Sequence, residues 1–397
     1  MAGLQKVRLG NIAYTNQNTY SPKECWQFVN YLDTGNITMN KIDEIQYINT
    51  LTDKLPSRAK RKVKLNSIIY STVRPNQLHY GIIKEQPANF LVSTGFAVID
   101  VDMDKAIPDY IYYILTQQEV TEHLQAIAEQ SVSAYPSIKP SDIEDLEIML
   151  PDKKEQKKIV SILGAIDNKI ELNNAINNNL LEQVLTLYRN RFVDIVNDER
   201  RICRADEYFE ISIGKTPPRK EPQWFSTNPQ DVTWVSISDM GTCGLYISSS
   251  SEQLTREAVD RHNVKIVPDN TVLLSFKLTV GRIAITNGEM TTNEAIAHFK
   301  TDKKEINEYL YCYLKCFNYQ TMGSTSSIAT AVNSKIIKGM PFVVPTDDEL
   351  IDFHSVAAPM FAKIKANQTE SEKLTAVRDT LLPKLMSGEL DVSDIDL

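Results

Sequence analysis

The stretch Pro151 to Val193 reads PDKKEQKKIVSILGAIDNKIELNNAINNNLLEQVLTLYRNRFV and carries no glycine or proline after Gly164. Apolar side chains recur at Ile159, Ile162, Ile166, Ile170, Leu180, Val184 and Leu187. Steps of three and four residues place them on one narrow seam of a single long helix. Lys, Glu, Asn and Gln fill the other faces. Asn173, Asn174, Asn177, Asn178 and Asn179 make its middle poor in intrinsic helix propensity. Such a helix needs a partner along its seam.

That partner is at the other end of the chain. Pro345 to Met386 reads PTDDELIDFHSVAAPMFAKIKANQTESEKLTAVRDTLLPKLM and matches the first stretch at an offset of 194 residues. Pro151 matches Pro345, Glu155 matches Glu349, Ile159 matches Phe353 and Ile162 matches Val356. Ile166 matches Met360, Ile170 matches Ile364, Asn173 matches Asn367, Leu180 matches Leu374 and Leu187 matches Leu381. A two-fold relation between equal halves reverses helix direction, so the expected pair is antiparallel. Ile159, Ile162, Ile166 and Leu187 are then expected to pack against Phe353, Val356, Met360 and Leu381.

The repeat extends into the flanking segments. Phe28–Gly35 resembles Trp234–Gly241, and Ser67–Ser71 resembles Thr271–Ser275. A loop follows each of the latter, with Arg74 in one and Lys277 in the other. Thr94–Val98 corresponds to Asn293–Ala297, taking Phe96 with Ala295. Tyr110–Leu115 matches Tyr309–Leu314; Ile138, Ile143, Leu146 and Ile148 match Val332, Ile337, Met340 and Phe342. The expected fold is mixed α/β: two homologous globular domains joined by two long antiparallel helices in a coiled coil, with an internal pseudo-two-fold. The boundaries expected are 1–150, 151–197 for the central helix, 198–344, and 345–397 for the terminal helix and tail.

Composition narrows the function. At 397 residues the chain is long enough for two or three domains, and its apolar and charged fractions are those of a globular protein. No apolar run approaches the ~20 residues of a membrane span, and the N-terminus lacks a signal-peptide stretch, so a cytoplasmic protein is expected. The five cysteines, Cys25, Cys203, Cys243, Cys312 and Cys316, form no zinc pattern and read as reduced thiols. The net charge of −8, taken alone, argues against a nucleic-acid partner, but its distribution matters more than its sum. Yet Lys54, Arg58, Lys60, Arg61, Lys62 and Lys64 crowd one stretch without an acid, and Lys215, Arg219 and Lys220 form a smaller cluster in the other half. Much of the acid sits elsewhere, at Asp347, Asp348, Glu349, Asp391, Asp394 and Asp396. Two basic clusters in equivalent halves point toward a polyanion.

Catalytic motifs fail on inspection. Asp33-Thr34-Gly35 in a duplicated chain suggests an aspartic protease, but the second half has Asp239-Met240-Gly241 and loses the threonine hydroxyl. Gly214-Lys215-Thr216 would end a phosphate-binding loop, but Phe209 stands where that loop needs glycine. Asp100, Asp102 and Asp104 alternate like a calcium loop without its glycine, and Ile111 stands at its twelfth position. The residues describe a binding scaffold without an active site of its own.

Taken together, several segments resemble one family over nearly the full length. They are Pro56–Lys60, Tyr70–Pro75, Ser93–Ala97, Trp234–Asp239, Pro151 with Glu155–Val160, and Leu381–Leu390. The chain resembles the DNA-specificity subunit of type I restriction-modification enzymes. One departure is Asp348-Glu349-Leu350-Ile351, where the family has a Glu-Gln pair followed by basic residues. The resemblance implies that each globular domain is a target-recognition domain reading one half of a split site in double-stranded DNA, with the paired helices as spacer. It implies two methyltransferase subunits bringing S-adenosylmethionine, motor-nuclease restriction subunits bringing ATP and magnesium, and no cofactor, metal or catalytic residue in this chain. Candidate DNA contacts in the first half are Arg58, Lys60, Arg61, Arg74, Asn76 and Gln77; in the second, Lys215, Thr216, Arg219, Lys220, Lys277 and Thr279. The rival reading is a protein-interaction scaffold with two binding domains on a coiled-coil spacer and no DNA.

Overall fold

The computed structural model describes residues 4–131, 135–195, 200–321, 333–392 and 395. Val332, Asp394 and Asp396 lie outside the described residues. The chain divides into two compact units, residues 1–168 with 374–397, and residues 169–373.

In the first unit, continuous apolar runs make central strands. Ile68–Ser71 and Phe96–Val101 are buried along their whole length, as expected of strands covered on both faces. They pair antiparallel in the order Ala13–Thr15, Phe96–Val101, Ile68–Ser71, Tyr80–Ile82. A second sheet runs Gln46–Asn49, Phe28–Leu32, Phe90–Ser93, Ala59–Lys62, and its middle pair is parallel. Gln5–Arg8 pairs with Glu147–Leu150.

The second unit repeats this hydrogen-bonding plan. Its first sheet runs Glu210–Ile213, Ile296–Lys300, Val272–Ser275, Ile283–Thr286, with Tyr246–Ile247 added at the edge. Its second runs Phe225–Ser226, Glu252–Leu254, Val232–Val235, Thr291–Thr292, again with one parallel pair. Ile202–Arg204 pairs with Pro341–Val343. The pairing also corrects the sequence register. Ser71 pairs with Phe96 and Ser275 with Ile296, so Phe96 corresponds to Ile296 and not to Ala295. The ladder alone fixes this register, since both faces of these strands are buried and a slip of one residue would exchange them.

The central helix spans Lys153–Tyr188 and continues as a π-helical turn, Arg189–Val193. The terminal helix spans Asp347–Met386. Among the described residues, no helix is long and apolar enough to cross a membrane. In the first unit Ile159 and Leu163 share a core with Leu385 and Met386, and Arg378 donates to Asp167 at 3.1 Å. In the second unit Val184, Leu185 and Tyr188 share a core with Leu350, Phe353, Ala357, Phe361 and Ile364. Both pairings are antiparallel. The direction holds, and so do the ends of the expected set: Ile159 and Ile162 pack in the core that Leu381 joins, and Leu187 packs in the core of Phe353 and Met360, because reversal sets the start of one helix against the end of the other.

The seam also differs in membership. Val356 is 42% exposed, since the buried face steps through Phe353, Ala357, Phe361, Ile364 and Asn367 and leaves it outside. Ile162, Leu180, Leu187, Met360 and Leu381 are half-buried against the cores. Ile166, Ile170 and Leu374 are half-buried. Asn173 and Asn177, assigned to the polar faces, lie on the seam instead, as does Asn367. Asn173, Asn177 and Asn367 are buried, and Asn367 Nδ2 donates to Asn177 Oδ1 at 2.8 Å. Asn173 Nδ2 donates to Glu370 at 2.9 Å and to Ser371 at 3.2 Å.

Candidate nucleic-acid interface

In both units one turn gathers the candidate segments. In the first unit it is Ser93–Gly95, between the Phe90–Ser93 and Phe96–Val101 strands. Thr94 N donates to the Arg58 carbonyl at 2.8 Å, and Thr72 N donates to the Gly95 carbonyl at 2.8 Å. The Arg58 segment and the loop holding Arg74, Asn76 and Gln77 therefore flank one turn. In the second unit Lys215 N donates to the Thr292 carbonyl at 2.9 Å, and Phe276 N donates to the Ala295 carbonyl at 2.9 Å. The Lys215 segment and the loop holding Lys277 and Thr279 flank the equivalent turn. Gly214 makes the close approach possible, because a Cβ there would collide with Thr292 and the Asn293 carbonyl.

Carboxylates organise both places. Tyr31 donates to Asp33 at 2.9 Å. Burial works against the Asp33 carboxylate, but the Thr34 backbone, Ser93, Tyr31 and nearby Arg58 override it and hold its pKa below the usual value. In the second unit Thr216 donates to Glu294. Burial pushes Glu294 up, while the Thr216 hydroxyl, its own backbone, Lys277 and Arg219 bring it down further. Thr216, Arg219 and Lys277 thus all favour the charged form of one carboxylate.

The candidate side chains differ in what occupies them. Arg58 and Lys60 are exposed, Lys60 on the edge strand Ala59–Lys62. Arg61 is half-buried, and its Nε is buried without a partner. Arg74 is exposed with φ 48° and its guanidinium sits 5.1 Å from the Tyr135 ring centre. Asn76 and Gln77 are exposed on the turn Pro75–Gln77, and Asn76 N donates to Gln125 at 3.3 Å. In the second half, Lys215 Nζ donates to the His262 carbonyl at 2.6 Å. Arg219 forks onto Glu252 at 2.9 and 2.8 Å and stacks 4.2 Å from Phe225 and 4.7 Å from Trp234. Both its hydrogen-bonding edge and one face are already engaged. Lys220, Lys277 and Thr279 are exposed.

The β-hairpin loops show a residue that motif reasoning missed. Arg74 and Leu278 each lie three residues past the strand-ending serines Ser71 and Ser275. Both have positive φ, 48° and 59°. Leu278, not Lys277, is therefore the positional counterpart of Arg74, and it is 98% exposed. An apolar residue inside the polar run Lys277–Thr279 was the only signal in the sequence.

Other residues weighed on sequence have structural roles. Asp239 accepts from Ser236 N at 2.8 Å, Ser236 Oγ at 2.7 Å and Ser251 N at 3.0 Å. Asp100 is buried and accepts from Ser67 at 2.6 Å. No cluster that could hold a metal ion occurs among the described residues.

The scaffold is a duplicated α/β protein that sets basic segments beside an equivalent turn in each half, Arg58 ahead of the Ala59–Lys62 strand in one and Lys215 after the Glu210–Ile213 strand in the other. The chain belongs to the type I restriction modification DNA specificity domain family, whose model matches residues 1–182 and 198–375. It is 24% identical to the HindI specificity subunit of Haemophilus influenzae, covering 91% of this chain and 94% of that one. It is 25% identical to the MjaIX specificity subunit of Methanocaldococcus jannaschii, covering 99% and 94%. The type I restriction-modification S subunit of M. genitalium has the same fold, with TM-score 0.54 at 16% identity over 97% of this chain and 96% of that one.

Proposed function

We propose that the chain is the DNA-specificity subunit of a type I restriction-modification complex. Each unit reads one half of a bipartite duplex site, and the paired helices set the unread spacer. The observation that carries this reading is the turn-centred basic site built twice, inside a duplicated family match. Lys and Arg contacts to phosphates supply affinity and register, while a few loop side chains read base edges. Two methyltransferase subunits supply S-adenosylmethionine and adenine chemistry; motor-nuclease subunits supply ATP and magnesium. This chain contributes recognition and no catalytic group, and it works in the cytoplasm, where its DNA is.

Mapping methylated adenines in a host that expresses the chain with its methyltransferase partner tests the reading. The expected result is one split motif with a fixed gap. No duplex binding by the assembled complex would overturn it in favour of a protein-interaction scaffold.

A further inference from the structure

We infer that Leu278 is a specificity-determining residue that reads the 5-methyl group of a thymine in the half-site bound by the second unit; this rests on the proposed function. Leu278 sits at the tip of the hairpin between Val272–Ser275 and Ile283–Thr286. Its side chain is 98% exposed, so it contributes nothing to the core. Its backbone is also costly. Thr279 N donates to the Lys277 carbonyl at 2.7 Å across Leu278, whose φ is 59°. This is a three-residue turn in the rare, strained sense, and a branched side chain is a poor choice for it. The turn is nevertheless braced: Ser275 Oγ donates to the Thr279 carbonyl at 2.6 Å and accepts from Arg282 N at 3.0 Å. Strain held in place by bracing, with an apolar group projected into water, is the pattern of a recognition tip.

The companion unit says what the tip is for. Arg74 occupies the same hairpin position with the same sign of φ. A two-stranded ribbon fits the major groove, where arginine pairs with guanine O6 and N7 and an apolar side chain has one base-edge target, the thymine methyl. The two units thus present different readers at one equivalent position, as an asymmetric site requires. Lys277 and Thr279, exposed on either side, are placed for the phosphates or base edges around that thymine.

The test uses the full chain assembled with its methyltransferase partner, on duplexes carrying the mapped motif. Thymines of one half-site at a time are replaced by deoxyuridine, which removes the methyl and keeps the pairing. Burial of one methyl is worth about a fourfold change in affinity. Uracil in the second unit's half-site should weaken wild-type binding by about that factor and leave Leu278→Ala unaffected. Half-sites are assigned by which one relaxes on Arg74→Ala. Leu278→Arg should shift the methylated motif toward guanine at one position of that half-site. Equal sensitivity of wild type and Leu278→Ala to uracil, or no sensitivity in either, overturns the assignment while leaving half-site reading intact. Loss of a split motif altogether overturns the proposed function instead.

Discussion

At the scale of single residues, exposure and existing partners separate readers from scaffolding. Arg74 is exposed and Arg219 is locked on Glu252, Phe225 and Trp234. Arg74→Ala should relax one half-site by about 1–3 kcal/mol of discrimination and spare the other. Lys60→Ala should weaken binding to all sequences alike and lower the salt slope by about one; methylome sequencing and salt titration read the two effects. His298 supplies a pH test. It is fully buried, with Ser212 Oγ at 3.0 Å and Thr292 Oγ1 at 2.7 Å from its ring nitrogens, and burial, with Lys300 nearby, lowers its pKa from 6.5 to about 3. The unfolded chain takes up the proton first as pH falls, so this contribution is complete above the unfolded pKa and is lost on descending from there toward the folded value. The slope is at most about 1.4 kcal/mol per pH unit. Unfolding of the wild type should therefore become easier between pH 7 and 5, and His298→Gln should flatten that dependence. Parallel curves for the two proteins would count against it.

At the scale of elements, the helix seam decides stability. Phe353 is 1% exposed and touches Tyr188 at 6.1 Å between ring centres, whereas Val356 is 42% exposed. Phe353→Ala should cost about 3–5 kcal/mol, and Val356→Ala should stay within ~0.5 kcal/mol; denaturant unfolding distinguishes them. The buried Asn173, Asn177 and Asn367 make the middle of the seam polar. Replacing Asn177 and Asn367 together by leucine should leave stability equal or higher, since paired polar groups leave together. Replacing Asn367 alone should destabilise by about 1–3 kcal/mol, because Asn177 is then buried unpaired.

At the scale of the whole molecule, the helices are the proposed ruler. Asn173 and Asn367 touch, with Asn173 Nδ2 at 3.4 Å from the Asn367 carbonyl, so points after Leu172 and Ala366 face each other. Seven residues inserted at each preserve the seam and add about 10 Å of rise. At roughly 3.4 Å per base pair this is about three base pairs, which also turn the duplex by roughly a quarter turn. The expected outcome is weaker binding and a gap longer by about one to three base pairs, with both half-site motifs unchanged. An active variant that methylates sites with the original gap would show that the helices do not measure it.

The duplication, the two long helices and their antiparallel direction were legible in the sequence, because each rests on local periodicity or on repetition at a fixed offset. The basic segments were legible too, since charge is local. Three things were decided only by tertiary structure. The seam took in Asn173, Asn177 and Asn367 and left out Val356, because burial depends on which face meets a partner. Arg219 and Lys215 were drawn into Glu252 and the His262 carbonyl, contacts from distant parts of the chain. Leu278 replaced Lys277 as the counterpart of Arg74, because strand pairing sets hairpin register and positive φ leaves no mark on a leucine. In each case the deciding energy comes from groups far apart in sequence, which only the folded chain brings together.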